Sequence, residues 1–165
     1  MDEEPKLTLY EEDFYAKKET KEKNIQMVVF RVSSEWYAVE IADVREVVNF
    51  EKITFLPSMP EHIAGIFNLR GNILSVTDLR KVFGLSQEAP AARSKLVVIQ
   101  SGILETALLA DEMAEPLEVS AAQIDPTLST IALDKAEYLS GTCNIDRKFI
   151  GILRTEKILQ VQRKA

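Results

Sequence analysis

An internal repeat constrains the fold of this chain more than any other feature of its sequence. Shifted by 69 positions, residues 27–47 align without gaps on residues 96–116, so that "MVVFRV" lies on "LVVIQS" and "AVEIADVREV" on "ALLADEMAEP". Shifted by 76 positions, residues 62–83 align on residues 138–159. Both alignments preserve the order of apolar positions, and the second preserves a glycine within a strand. The sequence therefore predicts a duplicated small β unit.

Each repeat contains about five short segments rich in β-branched and aromatic residues, a pattern typical of a small barrel. Neither repeat is long enough to bury a sizeable core alone. The spacing of Val44, Val47 and Val48 predicts a helical turn, and residues 50–56 are predicted as a strand. A tight turn is predicted at residues 70–72, because glycine and asparagine tolerate positive φ.

Further along the first repeat, Asp78 is predicted to cap a short helix that Gly84 ends. The recurrence of Gly65 as Gly141 predicts a bulge or a close backbone approach in each repeat. Such features belong to the fold, since both copies carry them.

Composition excludes several classes of function. The net charge of −6 argues against binding to phosphate backbones. One cysteine and one histidine are too few for an ordinary zinc site. There is no glycine-rich phosphate loop and no nucleophile elbow. We therefore expect an interaction module with no cofactor, no metal and no catalytic residues, and the cytoplasm as its location; an enzyme that uses carboxylates in an undetected pocket stays an alternative.

The duplication also separates residues that the fold requires from residues that serve a partner. Arg70, at the tip of a predicted hairpin, is matched in the second repeat by Asp146. The hairpin therefore does not require arginine, and a guanidinium in an apolar setting can bind a partner's carboxylate. Glu46 recurs as Glu115, which favours a role in the fold and leaves a binding role open. Asn68 recurs as well and is expected to bind the backbone of the turn.

Cysteine and histidine each occur once in the chain. Cys143 takes the place of Phe67 on the apolar side of its strand, so we expect a buried thiol. His62 is expected at the surface of a turn.

The segment "FLPSMPEHIAGIFNLRGNILSVTDLRKVFGL" closely resembles the signature of the CheW-like adaptor domains, with two spaced prolines, a glycine strand, asparagine-leucine-arginine-glycine and aspartate-leucine-arginine. Upstream, "WYAVEIADVREVV" resembles the aromatic strand and the valine-glutamate-valine turn of that family. The resemblance covers about residues 26–159. The chain departs from the usual family pattern at Ser75, Pro116 and Arg154, where the family usually has proline, valine and aspartate.

The resemblance implies a mainly β fold. It consists of two SH3-like five-stranded β-barrel subdomains that share a hydrophobic core, with short helices that include a C-terminal one. The predicted organisation is a mobile N-terminal arm over residues 1–24 and a CheW-like domain over residues 25–164, with approximate halves 25–90 and 91–164.

The resemblance also implies a function and a site. Such proteins are non-enzymatic adaptors that couple methyl-accepting chemoreceptors to a CheA-type histidine kinase, without entering the membrane. One surface binds the cytoplasmic tip of the receptor, and barrel ends pair with the regulatory domain of the kinase. Arg70 matches the motif arginine of the receptor-facing region and Glu46 the family glutamate near it, while Asn68, Leu69 and Gly71 shape the site. Alternatives are a scaffold of a non-flagellar, pilus-type array or a small-barrel binding module for another ligand.

Overall fold

Short strands make up most of the regular structure. The computed structural model describes residues 24–87, 89–128, 131 and 133–161. The first repeat forms β1 (Asn24–Val32), β2 (Glu35–Glu40), β3 (Val44–Asn49), β4 (Ile63–Leu69), β5 (Asn72–Thr77) and the helix α1 (Leu79–Phe83). The second repeat forms β6 (Lys95–Ser101), β7 (Leu104–Ala110), β8 (Glu112–Met113), β9 (Leu117–Ser120), α2 (Leu133–Ala136), β10 (Leu139–Ile145), β11 (Lys148–Leu153) and α3 (Thr155–Val161). The predicted mainly β class and the C-terminal helix are confirmed.

In the part of the chain that the structure describes, both sheets combine strands from the two repeats. A six-stranded sheet has the order β10-β11-β2-β1-β8, with β9 also paired to β1, and a five-stranded sheet has the order β3-β6-β7-β5-β4. The hairpin β1–β2 therefore pairs with strands of the second repeat, and the hairpin β6–β7 with strands of the first. The two repeats pair with each other in equivalent ways. In the six-stranded sheet β11 runs parallel to β2, and in the five-stranded sheet β5 runs parallel to β7. The sheets thus do not follow the boundary between the predicted halves, residues 25–90 and 91–164. The sequence did not predict this exchange of strands between the repeats.

Buried apolar side chains of the described residues form three clusters, and the central one holds the two sheets together. A central cluster takes members from both sheets and from α1 and α3, and each sheet encloses a further cluster of its own. In β6, Val97 and Ile99 face the central cluster while Leu96 and Val98 face the cluster of the five-stranded sheet. A strand buried on both faces needs no polar alternation, which explains the continuous run "LVVI". The predicted shared core is confirmed.

The two recurring glycines allow a close crossing of the backbone. A Cβ atom built on Gly65 would lie 2.5 Å from the carbonyl oxygen of Thr54, and one built on Gly141 would lie 2.9 Å from that of Asp125. The strand pairing also shifts register between Ile63 and Gly65, and shifts at the matching place in β10. Both predicted roles of the glycine, a bulge and a close approach, are therefore found in each repeat.

A buried ion pair links α1 to the end of β7 and to the turn between β1 and β2. Arg80 is 1% exposed and its guanidinium pairs with Asp111, which follows β7. The other carboxylate oxygen of Asp111 accepts a hydrogen bond from the backbone N–H of Ser33, in the β1–β2 turn, at 2.6 Å. Asp78 caps α1 by accepting from the N–H of Arg80, and Gly84 ends the helix with a φ of 67°, as the sequence predicts.

Two local predictions are wrong. Val44, Val47 and Val48 lie in the strand β3, which pairs with β6, and not in a helical turn. β-branched residues fit a sheet better than a helix, and the pairing with β6 outweighs the three-and-four spacing. Residues 50–56 form only an isolated bridge, between Thr54 and Ile66, where the chain crosses close to the backbone of Gly65. The predicted arm over residues 1–24 lies outside the described residues, except for Asn24.

Candidate partner-binding site

The hairpin of β4 and β5 presents Arg70 at its tip. Leu69 pairs with Asn72, so that Arg70 and Gly71 alone form the loop. Both have positive φ values, 52° and 94°, as a two-residue type I′ turn requires. Glycine and asparagine adopt this conformation readily, whereas a left-handed conformation costs an arginine about 1 kcal/mol. The turn itself therefore gives no reason for an arginine at this position.

Arg70 and Glu46 meet across the two edges of the five-stranded sheet. The Nη2 atom of Arg70 donates a hydrogen bond to Oε2 of Glu46. Glu46 lies in β3 and Arg70 follows β4, and these are the first and last strands of the sheet. The sheet therefore curls until its edges approach each other, as in a barrel. The side chain of Arg70 stays 67% exposed, against 22% for Glu46, so the pair orients the guanidinium without burying it.

The other three predicted site residues support the turn. The side-chain oxygen of Asn68 accepts a hydrogen bond from the N–H of Gly71 at 2.7 Å, which confirms the predicted bond to the turn backbone. Leu69 is 7% exposed and packs inside the five-stranded sheet, so its side chain anchors the hairpin from within. Opposite Asn68, the side chain of Ile73 is 60% exposed and adds apolar surface beside Arg70.

Two charged residues that the sequence did not reveal extend the site. Nη1 of Arg45 lies 2.9 Å from Oε2 of Glu105, and Nε of Arg45 lies 3.9 Å from Oε2 of Glu46. Adjacent strand residues normally point to opposite faces, so no sequence pattern brings Arg45 toward Glu46. Glu105 lies 60 positions from Arg45, and only the order of the strands shows their proximity.

The matching hairpin of the second repeat has the same turn and the opposite charge at its first position. Asp146 and Arg147 form the loop between β10 and β11 with φ values of 51° and 64°. Asp146 thus places a carboxylate where Arg70 places a guanidinium. Beside it lies a groove whose lining includes Glu115, the match of Glu46, and the ammonium group of Lys148 stacked over Trp36. The fold therefore supports the turn with either charge.

The single cysteine and the single histidine differ in their surroundings. Cys143 is 4% exposed, which confirms the predicted buried thiol, and burial raises the pKa of that thiol. His62 lies in a turn but is half-buried rather than on the surface, and its Nε2 atom has no hydrogen-bond partner among the described residues. Burial lowers the pKa of His62, opposed by a hydrogen bond with the backbone of Val161.

The shape of this surface favours a macromolecular partner. The groove beside Arg70 has a volume of about 230 Å³, below the range of roughly 300–1,000 Å³ typical of small-molecule sites. The exposed guanidinium and Ile73 project from the surface beside that groove and are suited to contact a protein. In the part of the chain that the structure describes, no helix is both long and apolar enough to cross a membrane.

Known proteins are similar to this chain over most of its length. The family model of the CheW-like domain matches residues 26–163. The chemotaxis protein CheW of Helicobacter pylori is 29% identical over 145 residues, which are 88% of this chain and 87% of that protein. The protein FrzA of Myxococcus xanthus is 29% identical over 138 residues, 82% of this chain and 85% of that protein. The crystal structure of the scaffolding protein TtCheW from Thermoanaerobacter tengcongensis has a TM-score of 0.73 and 31% identity, covering 80% of this chain and 85% of that chain.

Proposed function

The chain belongs to the family of CheW-like domains, and from this membership we propose that it is a non-enzymatic adaptor that couples chemoreceptors to a CheA-type histidine kinase. The match of the family model to residues 26–163 is the observation that carries the proposal. Relatives named as chemotaxis proteins and a solved structure titled as a scaffolding protein support it, since all are matched over at least 80% of this chain.

Within this function, Arg70 is the proposed receptor contact. Its guanidinium is 67% exposed although it pairs with Glu46, and it has the exposed Ile73 beside it. The cytoplasmic tip of a receptor is a helical hairpin, and a carboxylate next to an apolar side chain on such a helix would complement this surface. The use of arginine in a turn that favours asparagine or glycine supports a role outside the fold.

The mechanism is binding that differs between signalling states. An adaptor transmits a signal if it binds receptor and kinase together and binds more tightly when the receptor has one conformation. Each contact can be modest, because several linked contacts in an array raise the effective concentration of every partner. Such a mechanism needs no catalytic residue. It needs two surfaces that are fixed relative to each other, and the central cluster shared by the two sheets supplies that rigidity.

Reconstitution with the partners of the same genome tests the proposal. The chain is mixed with its CheA-type kinase and with membranes that contain a chemoreceptor, and phosphorylation of the kinase is followed with and without the adaptor. We expect co-sedimentation of all three proteins and a kinase activity that responds to the receptor ligand only when the adaptor is present. A chain that binds neither protein in purified form would contradict the proposal.

A further inference from the structure

Four side chains of alternating charge form a row that ends at Arg70. Glu105 pairs with Arg45 at 2.9 Å, Arg45 approaches Glu46 at 3.9 Å, and Arg70 binds Glu46 at the end of the row. Both arginines are directed at the same oxygen atom, Oε2 of Glu46. Glu46 therefore has two cations available: Arg70 is in direct contact with it, and Arg45 lies 3.9 Å away while paired with Glu105.

A β-bulge produces this arrangement. Val44 pairs with Ile99 and Glu46 pairs with Val98, so that β3 uses one more residue than β6 over this stretch. The extra residue is Arg45. A bulge interrupts the alternation of side chains and re-aims the residue it contains. Without the bulge, Arg45 and Glu46 would point to opposite faces of the strand.

We propose that Arg45 is a positioning residue that shares Glu46 with Arg70 and thereby sets how easily Arg70 is released to a partner's carboxylate. The inference rests on the proposed role of Arg70 as the receptor contact. When Arg70 turns from Glu46 to the receptor, Glu46 loses its cation. Arg45 lies close enough to approach Glu46 and neutralise its carboxylate. While Arg70 is bound to Glu46, the ion pair with Glu105 keeps Arg45 in its present position.

The consequence for affinity follows from the two states of Arg70. Only molecules in which Arg70 is free of Glu46 are competent to bind the receptor. The apparent dissociation constant for the receptor therefore rises as the ion pair of Arg70 with Glu46, called the closed pair, becomes more stable. Removal of Arg45 leaves Glu46 to Arg70 alone and stabilises the closed pair. Removal of the charge on Glu105 lets Arg45 compete for Glu46 and weakens the closed pair.

The two substitutions are therefore expected to act in opposite directions. Arg45→Gln weakens binding and Glu105→Gln strengthens it, each by about two- to fivefold, the range of a surface ion pair. Arg45→Lys restores part of the affinity, since a lysine keeps the charge and loses the second donor. All these effects shrink at 1 M salt, because the four side chains are partly exposed and salt screens them.

A double-mutant cycle with Glu46→Gln separates this mechanism from simple attraction between charges. The probe is a soluble fragment of a receptor's cytoplasmic hairpin from the same genome, and its dissociation constant is measured by isothermal titration calorimetry with each full-length variant. In the Glu46→Gln background we expect Arg45→Gln and Glu105→Gln to leave the dissociation constant unchanged. Equal effects with and without Glu46 would overturn the proposal, as would a shift of both single variants in the same direction.

Two controls keep the possible outcomes distinct. Arg147→Gln removes one positive charge at the matching turn of the second repeat, and it is expected to leave receptor binding unchanged. Arg70→Ala tests the site itself. If Arg70→Ala does not weaken binding, the proposed receptor site is wrong; if it does and the cycle is additive, only the role of Arg45 is wrong. Melting temperatures of all variants exclude loss of folded protein as the cause.

Discussion

Arg70 occupies a turn position at which its side chain is a cost to folding. A left-handed residue followed by glycine is most stable as asparagine-glycine, and Arg70 gains only an exposed ion pair with Glu46, worth about 0–1 kcal/mol. Strain of this kind persists where it serves a function. The same turn in the second repeat starts with Asp146, a residue that tolerates positive φ better.

We therefore expect Arg70→Asn to separate stability from function. The variant should weaken binding of the receptor fragment by about tenfold or more, as hot-spot arginines do, while its melting temperature stays the same or rises because the turn is relaxed. Calorimetric titration and thermal unfolding measure the two quantities. Arg147→Asn, at the matching turn, is the control and should leave binding intact. Undiminished binding by a folded Arg70→Asn protein would remove Arg70 from the site.

The single histidine makes stability depend on pH near neutrality. Burial lowers the pKa of His62 in the folded chain below the unfolded value of about 6.5. The unfolded chain then binds the proton more readily, so the contribution of His62 is fully present above about pH 6.5 and is lost as the pH falls below it. Urea unfolding at pH values between about 5 and 7.5 should show a steeper fall for the native chain than for His62→Gln. Parallel curves would show that burial of His62 does not contribute to the pH dependence of stability.

At the scale of single elements, the strands with clear patterns could be predicted and those with special geometry could not. The run "LVVI" and the turn at Gly71 have local causes, namely burial on both faces and positive φ. The strand β3 was predicted as a helical turn, because its valines also fit a three-and-four spacing and only the pairing with β6 decides between the two. The bulge at Arg45 depends on that pairing as well. The sequence therefore indicated Arg70 and Glu46 but could not reveal Arg45 or Glu105.

The close approach of Gly65 in β4 to the backbone of Thr54 predicts how a substitution in this strand changes the free energy of unfolding. Gly65→Ala is expected to destabilise the fold by about 1–3 kcal/mol, the usual cost of overpacking, because the new Cβ meets the backbone oxygen of Thr54 at 2.5 Å. Gly102→Ala is the matched control: Gly102 has a φ of 60° but open space around its Cβ position, so it should lose only about 1 kcal/mol. Urea unfolding compares the two variants. Equal losses would mean that backbone conformation, not the crossing, makes glycine necessary at position 65.

At the scale of the whole molecule, the repeats depend on each other for their sheets. The five-stranded sheet places β6 and β7 between β3 and β5, and the six-stranded sheet places β1 and β2 beside β8 and β11. An alignment of the repeats identifies matching strands but cannot show which copy supplies the neighbour, since both choices satisfy the same apolar pattern. The exchange of hairpins between the repeats is therefore visible only in the structure. It gives the adaptor one shared core, and with it a fixed geometry between surfaces on the two sheets.

The same exchange predicts how half of the chain behaves alone. A fragment that ends at Ser94 contains β1–β5, but its hairpin β1–β2 lacks the second-repeat strands, and β3 has no β6 to pair with. As a monomer it should therefore show no cooperative melting. Because the two repeats pair in equivalent ways, a second copy of the fragment can supply the missing hairpin, so any folded form should be a strand-exchanged dimer.

Sedimentation velocity and thermal unfolding over a range of fragment concentrations test this prediction. We expect a melting transition that appears only with the dimer and rises in temperature with concentration, as mass action requires. Addition of the complementary fragment from Lys95 onward should give a more stable heterodimer, since the native pairs of sheets are then restored. A monomeric fragment that melts cooperatively at low concentration would show that one repeat closes its own sheet. The exchange of hairpins would then not be what makes the two repeats fold as one unit.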